Sequence, residues 1–236
     1  MGRPSVLNPH REATCRRWRA TFLILASLAS LTWAFAGVLN PAVSQLHAFV
    51  SEYSARDQPW RRLFQTTDVI MGSSLCLAGL VTLAWAGRRP LGRQWWASIG
   101  FVIGGLFSVL DALVTMDCSP TRSTTCLAAE EAGHVSPSHL VHVGTSTIVI
   151  AGFALSILLL NSTMTRFRTF GLIVAWAWIV FTLLNGIGAM DWFDGTPMDY
   201  TGIWQRFSLS LGTLWWLTLA ADDIITSRAQ RRPVTC

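Results

Sequence analysis

The sequence predicts an all-α, polytopic membrane protein, a bundle of six transmembrane helices with both termini in the cytoplasm. Composition gives the first reason: 51% of the 236 residues are hydrophobic and only 13% are charged, whereas soluble domains carry about 25% charged residues. The second reason is that the apolar residues come in blocks of about 20, the length that crosses a bilayer as a helix. Helices are expected because a chain in lipid must satisfy its own backbone hydrogen bonds.

Six apolar blocks follow one another along the chain. They cover residues 18–39, 66–87, 95–116, 139–161, 170–190 and 207–226. The first block starts with arginines and ends near "WAFA", which also fits a signal peptide, but its apolar part exceeds the usual length of about 7–15 residues. This length favours a retained helix. We therefore expect a basic cytoplasmic N-terminal segment (1–17), a membrane domain (18–227) and a basic cytoplasmic tail (228–236).

Arginine placement predicts the orientation. All 18 basic residues are arginines, and 13 of them flank the N-terminus, the second and fourth gaps and the C-terminus. The positive-inside rule places that side in the cytoplasm. Absence of lysine is typical of GC-rich bacterial coding, so we expect a bacterial plasma membrane. The net charge of +5 sits at the ends of apolar blocks, and no phosphate loop or nucleotide fingerprint occurs. Neither nucleic acid nor nucleotide is an expected partner.

Two cysteines share one predicted outer loop. Cys118 and Cys126 are expected to form a disulfide bond because that loop faces an oxidising exterior; two free thiols are the alternative. The other cysteines, Cys15, Cys76 and Cys236, fall in the membrane or inside, where free thiols are expected.

Five of the predicted helices place polar side chains just below the outer boundary. These residues are Asp68, Asp111, His142, Asn185, Gln205 and Arg206. With a rise of about 1.5 Å per residue, Asp111 lies roughly 9 Å below Asp117 in the following loop. The pattern predicts an outward-facing polar cavity.

Asp111 is the sharpest candidate for a functional residue. A carboxylate at that depth costs a few kcal/mol unless it is paired or hydrated. It could be catalytic, with Asp68 as a second candidate. It could equally be a structural partner of Arg206, His142 or Asn185, and the sequence leaves both interpretations open.

The histidines suggest a metal site as one of three interpretations. His139 and His142 are three residues apart and share a helical face. With His134 they could hold a zinc ion, whose water Asp111 or Asp68 would deprotonate. A polar or proton-relay role is the second interpretation. Incidental placement at a helix start capped by Ser136 or Ser138 is the third. Zinc is the one cofactor considered.

Two further segments are expected to have structural rather than chemical roles. The first outer loop, "HAFVSEYSARDQPWRRLFQ", could lie on the membrane surface or cap the bundle. Asp222 and Asp223, at the inner end of the last block, are expected to form interfacial charge pairs with the arginines that follow them, Arg228, Arg231 and Arg232.

The motifs "MDCSPT" and "HLVHVGTS", together with Asp111 and the six-block layout, carry a resemblance over residues 18–227. The chain resembles the bacterial and archaeal membrane proteins grouped under "domain of unknown function 998", which are similar in layout to Frag1/DRAM/Sfk1-type proteins. The resemblance implies a six-helix bundle in a membrane and no reaction.

A weaker similarity is to the alkaline ceramidase and progestin-receptor superfamily of zinc hydrolases. It rests on His134, His139, His142, Asp111 and Ser138. That superfamily has seven helices and a late HxxxH motif, and this chain has neither.

Three functions compete at this point, and whether the protein is an enzyme stays open. The favoured one is a lipid-binding or accessory protein of the cell envelope. In that role Arg206, Gln205 and Asn185 would contact a membrane lipid or another envelope membrane protein. The first alternative is a metal-dependent lipid hydrolase that uses the His/Asp residues. The second is a small proton-coupled transporter with Asp111 as relay.

Overall fold

The computed structural model of the protein describes residues 9–86, 92–193 and 200–230. Within these ranges the chain is helical and contains no strand, which confirms the all-α class. The α-helices are α1 (Pro9–Ser30), α2 (Ala36–Leu39), α3 (Arg61–Ala86), α4 (Arg93–Leu113), α5 (Thr124–Glu131), α6 (Pro137–Leu160), α7 (Arg168–Phe193) and α8 (Thr201–Ala229). Short 3₁₀ turns occupy Leu31–Phe35, Val50–Ser54 and Asn161–Thr163. Helix α1 thus begins inside the segment expected to precede the membrane domain.

Five helical stretches are long and apolar enough to cross a membrane. They are His10–Leu39, Arg61–Trp85, Arg93–Leu113, Pro137–Thr163 and Arg168–Gly188, and they match the first five predicted blocks. Five such helices indicate a multi-pass membrane protein. The sixth block, 207–226, lies within α8, which has 29 residues but is not among the five, so the sixth span stays a prediction.

Helix α8 packs toward the middle of the bundle. Along the bundle the neighbours are α6, α4, α3, α1, α8 and α7, in that order. Trp215 of α8 is fully buried and its ring lies 6.4 Å from that of Phe101 in α4. The adjacent Trp216 lies 5.7 Å from Phe153 in α6. The weaker apolar character of α8 has its cause in the helix itself, which carries Arg206, Asp222 and Asp223.

Glycines bring α3, α4 and α6 close together. A Cβ on Gly105 of α4 would clash with the amide nitrogen of Cys76 in α3. A Cβ on Gly152 of α6 would lie 2.7 Å from the amide nitrogen of Gly104. Small residues of this kind let helix backbones approach closely in membranes. The three helices therefore pack with their backbones close together.

The loops gather at two ends of the bundle. One end, which we call the disulfide end, is formed by residues 40–60, 114–136 and the start of α8. There the amide of Arg56 donates to the carbonyl oxygen of Met116 at 3.0 Å. We call the arginine end the opposite one, where the start of α1 meets the end of α8. This grouping matches the predicted alternation of loops, while the orientation toward the cytoplasm stays a prediction.

At the arginine end, Asp222 and Asp223 are bound differently from the prediction. Asp223 pairs with Arg16 and Arg19 of α1, and Asp222 accepts backbone N–H groups of residues 165–167. Neither pairs with Arg228 within the described ranges; Arg231 and Arg232 lie outside them. Residues five or six positions apart do not share a helix face, so α8 cannot pair these acids with Arg228.

Candidate functional site

Asp111 and His142 form the centre of the candidate site. Asp111 lies in the last turn of α4, and His142 lies in the second turn of α6, whose start is capped by Ser136. Nδ1 of His142 is 3.2 Å from Oδ1 of Asp111 and 2.9 Å from the carbonyl oxygen of Val114. Nδ1 must carry a proton, because both neighbours are acceptors. This is one of the pairings that the sequence left open.

The Asp111 carboxylate is satisfied on one oxygen only. Oδ1 accepts hydrogen bonds from the hydroxyls of Thr145 and Ser146, the latter at 3.0 Å. No group in the described ranges donates to Oδ2. The Asp111 side chain is 21% exposed, so its second oxygen can be reached from outside the helix bundle.

Asp68 of α3 is the second carboxylate of the site. It is half-buried and lies near enough to Asp111 for the two charges to interact. Within the described part of the chain, Asp68 has neither a hydrogen-bond donor nor a cation as partner. The structure therefore brings together three of the predicted residues, namely Asp68, Asp111 and His142.

The other histidines belong elsewhere. His139 is buried; its Nδ1 accepts from the amide of Asp117 at 3.4 Å, and its Nε2 lies 3.6 Å from Oε1 of Glu130. His134 is exposed. No group of three or more His, Cys, Asp or Glu residues that could hold a metal ion occurs in the described ranges. The zinc hypothesis for His134, His139 and His142 stays untested.

A disulfide bond, hydrogen bonds and an ion pair join the loops of the disulfide end. Cys118 and Cys126 form a disulfide bond with a Cα–Cα distance of 6.0 Å, as predicted. Asp117 accepts from the amide (2.6 Å) and hydroxyl (2.7 Å) of Ser136 and pairs with Arg56 at 3.1 Å. Burial alone would raise the pKa of Asp117, but these hydrogen bonds and the Arg56 charge outweigh it and lower the pKa below its ordinary value.

Glu52 is a central residue that sequence reasoning missed. It is fully buried in the first loop at the disulfide end. One carboxylate oxygen accepts from the hydroxyls of Ser119 and Thr121, both at 2.6 Å, and the other from the amide of Phe49 at 2.9 Å. Glu52 thereby joins the first loop to the disulfide loop. The one available signal was an acid inside the apolar stretch "HAFVSEY".

The first loop is also fixed to α8. Nη1 of Arg206 donates to the carbonyl oxygens of Ala48 (3.0 Å) and Gly202 (2.9 Å). Gln205 accepts from the amide of Val50 at 2.5 Å. A small apolar cluster lies under the loop and consists of Ala36, Val43, Ala48, Tyr53 and Phe64. The loop therefore caps the bundle, one of the two arrangements left open by the sequence.

The predicted polar layer consequently divides into two groups. Asp68, Asp111 and His142 lie among α3, α4 and α6, whereas Arg206 and Gln205 hold the first loop on α8. In the described chain no hydrogen bond or ion pair joins Asp111 to Arg206. Asn185 of α7 is buried, and its side-chain oxygen has no partner among the described residues.

Fold and site together define a multi-pass helical membrane protein with a carboxylate–histidine site and a disulfide-stapled cap at one end. The profile of one family, described as "Protein of unknown function (DUF998)", matches residues 23–222, and the chain belongs to this family. A comparison with curated proteins and with solved structures finds no match. The resemblance in sequence to this family is thereby confirmed, while the similarities to Frag1/DRAM/Sfk1-type proteins and to zinc hydrolases stay predictions.

Proposed function

We propose that this protein is a lipid-binding accessory protein of a bacterial plasma membrane, with six spans. Both termini lie in the cytoplasm and the disulfide end faces outward. Arginine placement supports this orientation, and a disulfide bond at the opposite end suits an oxidising exterior. Helix α8 serves as the sixth span, since its 29 residues exceed the roughly 20 needed to cross a bilayer.

The observation that carries the proposal is a pair of carboxylates, Asp68 and Asp111, with oxygens that accept no hydrogen bond from the described residues. Asp68 has no donor, and Oδ2 of Asp111 has none either, in the described chain. Carboxylates inside a membrane span are costly without partners. A ligand that brings N–H or O–H donors would supply the missing hydrogen bonds. A lipid headgroup with an amine or hydroxyls, held in the outer leaflet, has this chemistry.

The surrounding residues prepare the site for such a ligand. His142, Thr145 and Ser146 orient Asp111 through Oδ1 and leave Oδ2 available. Arg206 and Gln205 hold the first loop on α8, and a partner protein would contact the outer surface of this loop. The side-chain oxygen of Asn185 is buried and has no partner among the described residues, so Asn185 is left out of the proposed contact with lipid or partner.

Lipid binding to the full chain in detergent tests the proposal. Phosphatidylethanolamine carries N–H donors, whereas phosphatidylcholine has the same charge and none. We expect the first lipid to raise the thermal unfolding midpoint of the wild type more than the second. Asp68→Asn and Asp111→Asn should each weaken ethanolamine-lipid binding by at least about tenfold, because a charged hydrogen bond contributes roughly 1.5–3 kcal/mol.

Glu131→Gln is the matched control, because it removes an exposed acid at the same end and should leave binding unchanged. Equal responses to the two lipids, or equal binding by wild type and both aspartate variants, would refute the proposal. Release of free ethanolamine during incubation would support the hydrolase instead.

A further inference from the structure

A groove runs between α1 and α8 at the arginine end. It has a volume of about 390 Å³ and is lined by Arg17, Ala20, Thr21, Ile24, Ile224, Ser227 and Arg228. A neighbouring cavity of about 280 Å³ shares Arg17 and Thr21 and adds Thr14 and Trp18. The larger volume falls in the range of about 300–1,000 Å³ that small-molecule sites occupy.

The groove carries two cations that have no counter-ion among the described residues. Arg16 and Arg19 lie beside it but are engaged by acidic partners, Asp223 above all. Arg17 and Arg228 are exposed and pair with no carboxylate in the described chain. Among the residues that the structure describes, no acidic side chain lines the groove. Its electrostatic complement is therefore an anion.

The hydroxyls of the groove are already engaged. Thr21 donates to the carbonyl oxygen of Arg17 at 3.1 Å, and Ser227 donates to that of Ile224 at 2.9 Å. The two guanidinium groups are thus the donors left for a ligand, and they suit the several oxygens of a phosphate.

Polarity changes along the groove. Ile24 lies seven residues after Arg17, so roughly 10 Å further into the bundle at about 1.5 Å per residue. Ile224 is likewise about 6 Å inward from Arg228. Trp18 stands 55% exposed beside the charged mouth, a position typical of aromatic residues at a membrane interface. A charged mouth with an apolar interior matches a molecule with an anionic head and a hydrocarbon chain.

We infer that this groove binds one anionic phospholipid. Arg17 and Arg228 hold the phosphate, and an acyl chain lies along Ala20, Ile24 and Ile224. Basic pockets between transmembrane helices recognise anionic headgroups in this way. The site is independent of the carboxylate site at the disulfide end, which needs a hydrogen-bond donor rather than an anion.

Native mass spectrometry of the full chain in detergent tests the inference. Phosphatidylglycerol and phosphatidylcholine with identical acyl chains are titrated separately. The wild type should retain one phosphatidylglycerol and bind phosphatidylcholine more weakly. The double variant Arg17→Ala/Arg228→Ala should bind phosphatidylglycerol about 30-fold more weakly, because each basic residue contributes a factor of about five.

Two further variants distinguish lipid binding in the groove from nonspecific attraction to a charged surface. Arg11→Ala/Arg166→Ala removes the same charge from exposed positions that do not line the groove, and it should bind like the wild type. Thr21→Trp keeps both arginines but fills the groove, and it should lose the lipid. All these changes are at exposed residues. Equal binding of the two lipids, equal loss in both arginine variants, or full binding by Thr21→Trp would each overturn the inference.

Discussion

Arg19 and Asp223 form an ion pair in which neither side chain is accessible to solvent. Nε of Arg19 lies 2.7 Å from Oδ2 of Asp223, and Nη2 lies 2.7 Å from Oδ1. Arg16 adds a contact to Oδ1 at 3.0 Å, and both guanidinium groups lie over the ring of Trp85. The pair joins the first helix to the last, so α1 is held as part of the bundle.

Replacing Asp223 should be costly. Asp223→Asn leaves Arg19 buried without a counter-charge, and we expect the free energy of unfolding to fall by about 3–5 kcal/mol. Denaturant unfolding in detergent measures the change. Glu12→Gln is the control, because Glu12 is a more exposed partner of Arg16 and should contribute at most about 1 kcal/mol. Losses of similar size in both variants would contradict the role assigned to the buried pair.

Asp222 should stabilise the chain entering α7. Its carboxylate accepts the amides of Thr165 (3.0 Å), Arg166 (2.7 Å) and Phe167 (3.2 Å). Asp222→Ala removes these acceptors, and a lost cap of this kind costs about 0.5–2 kcal/mol. Trypsin should then cleave after Arg166 faster than in the wild type. Thr226→Ala, which removes only a hydroxyl contact with Thr165, should leave cleavage nearly unchanged; unchanged cleavage in Asp222→Ala would refute the cap.

Glu52 should make the protein less stable as the pH rises above about 4.5. Burial raises the pKa of Glu52 above this ordinary value, although its hydrogen bonds to Ser119, Thr121 and Phe49 act to lower it. Between pH 4.5 and the raised pKa the folded protein binds more protons than the unfolded chain, so stability falls with rising pH. Glu52→Gln should flatten this part of the curve of unfolding midpoint against pH. The same slope in wild type and variant would contradict the assignment.

Asp117 should make the protein less stable as the pH falls below about 3.8. Its pKa is lowered from an ordinary value of about 3.8, so its contribution is present above that value and is lost as the pH falls through the lowered pKa. Asp117→Asn should remove this acid-induced loss while leaving the slope above pH 4.5 intact. The unfolding midpoint of Glu52→Gln and of Asp117→Asn in detergent, followed from about pH 2 to 7, tests both predictions. A slope below pH 3.8 that Asp117→Asn leaves unchanged would rule out this role.

Thiol labelling should report disulfide and orientation together. In intact cells an impermeant maleimide should leave Cys118 and Cys126 unlabelled until a reductant is added, because the two form a disulfide bond. Cys15, a free cysteine of α1, should stay unlabelled in both conditions and react only after lysis. Labelling of Cys15 in intact cells would reverse the proposed orientation.

Part of the candidate site could be predicted, because residues out of place in an apolar or exposed segment can be recognised in the sequence. Asp111 stands out as a charge inside an apolar run. Cys118 and Cys126 stand out because they share one loop that was predicted to face an oxidising exterior. Glu52 stayed hidden because an acid in a loop normally faces water. Its burial depends on Ser119 and Thr121, which lie more than 60 residues later in the chain.

The sequence by itself determined the helical class, five of the six predicted apolar spans, the disulfide bond and the alternation of loops. These follow from hydrophobicity and segment length, which are local properties of the chain. Only the tertiary structure decided that Asp223 belongs to Arg19, that Arg206 secures the first loop, and that Asp111 takes His142 as its partner. The reason is physical: a polar group in a low-dielectric interior takes the partner that helix packing brings within about 3 Å, and packing depends on contacts between residues far apart in the chain.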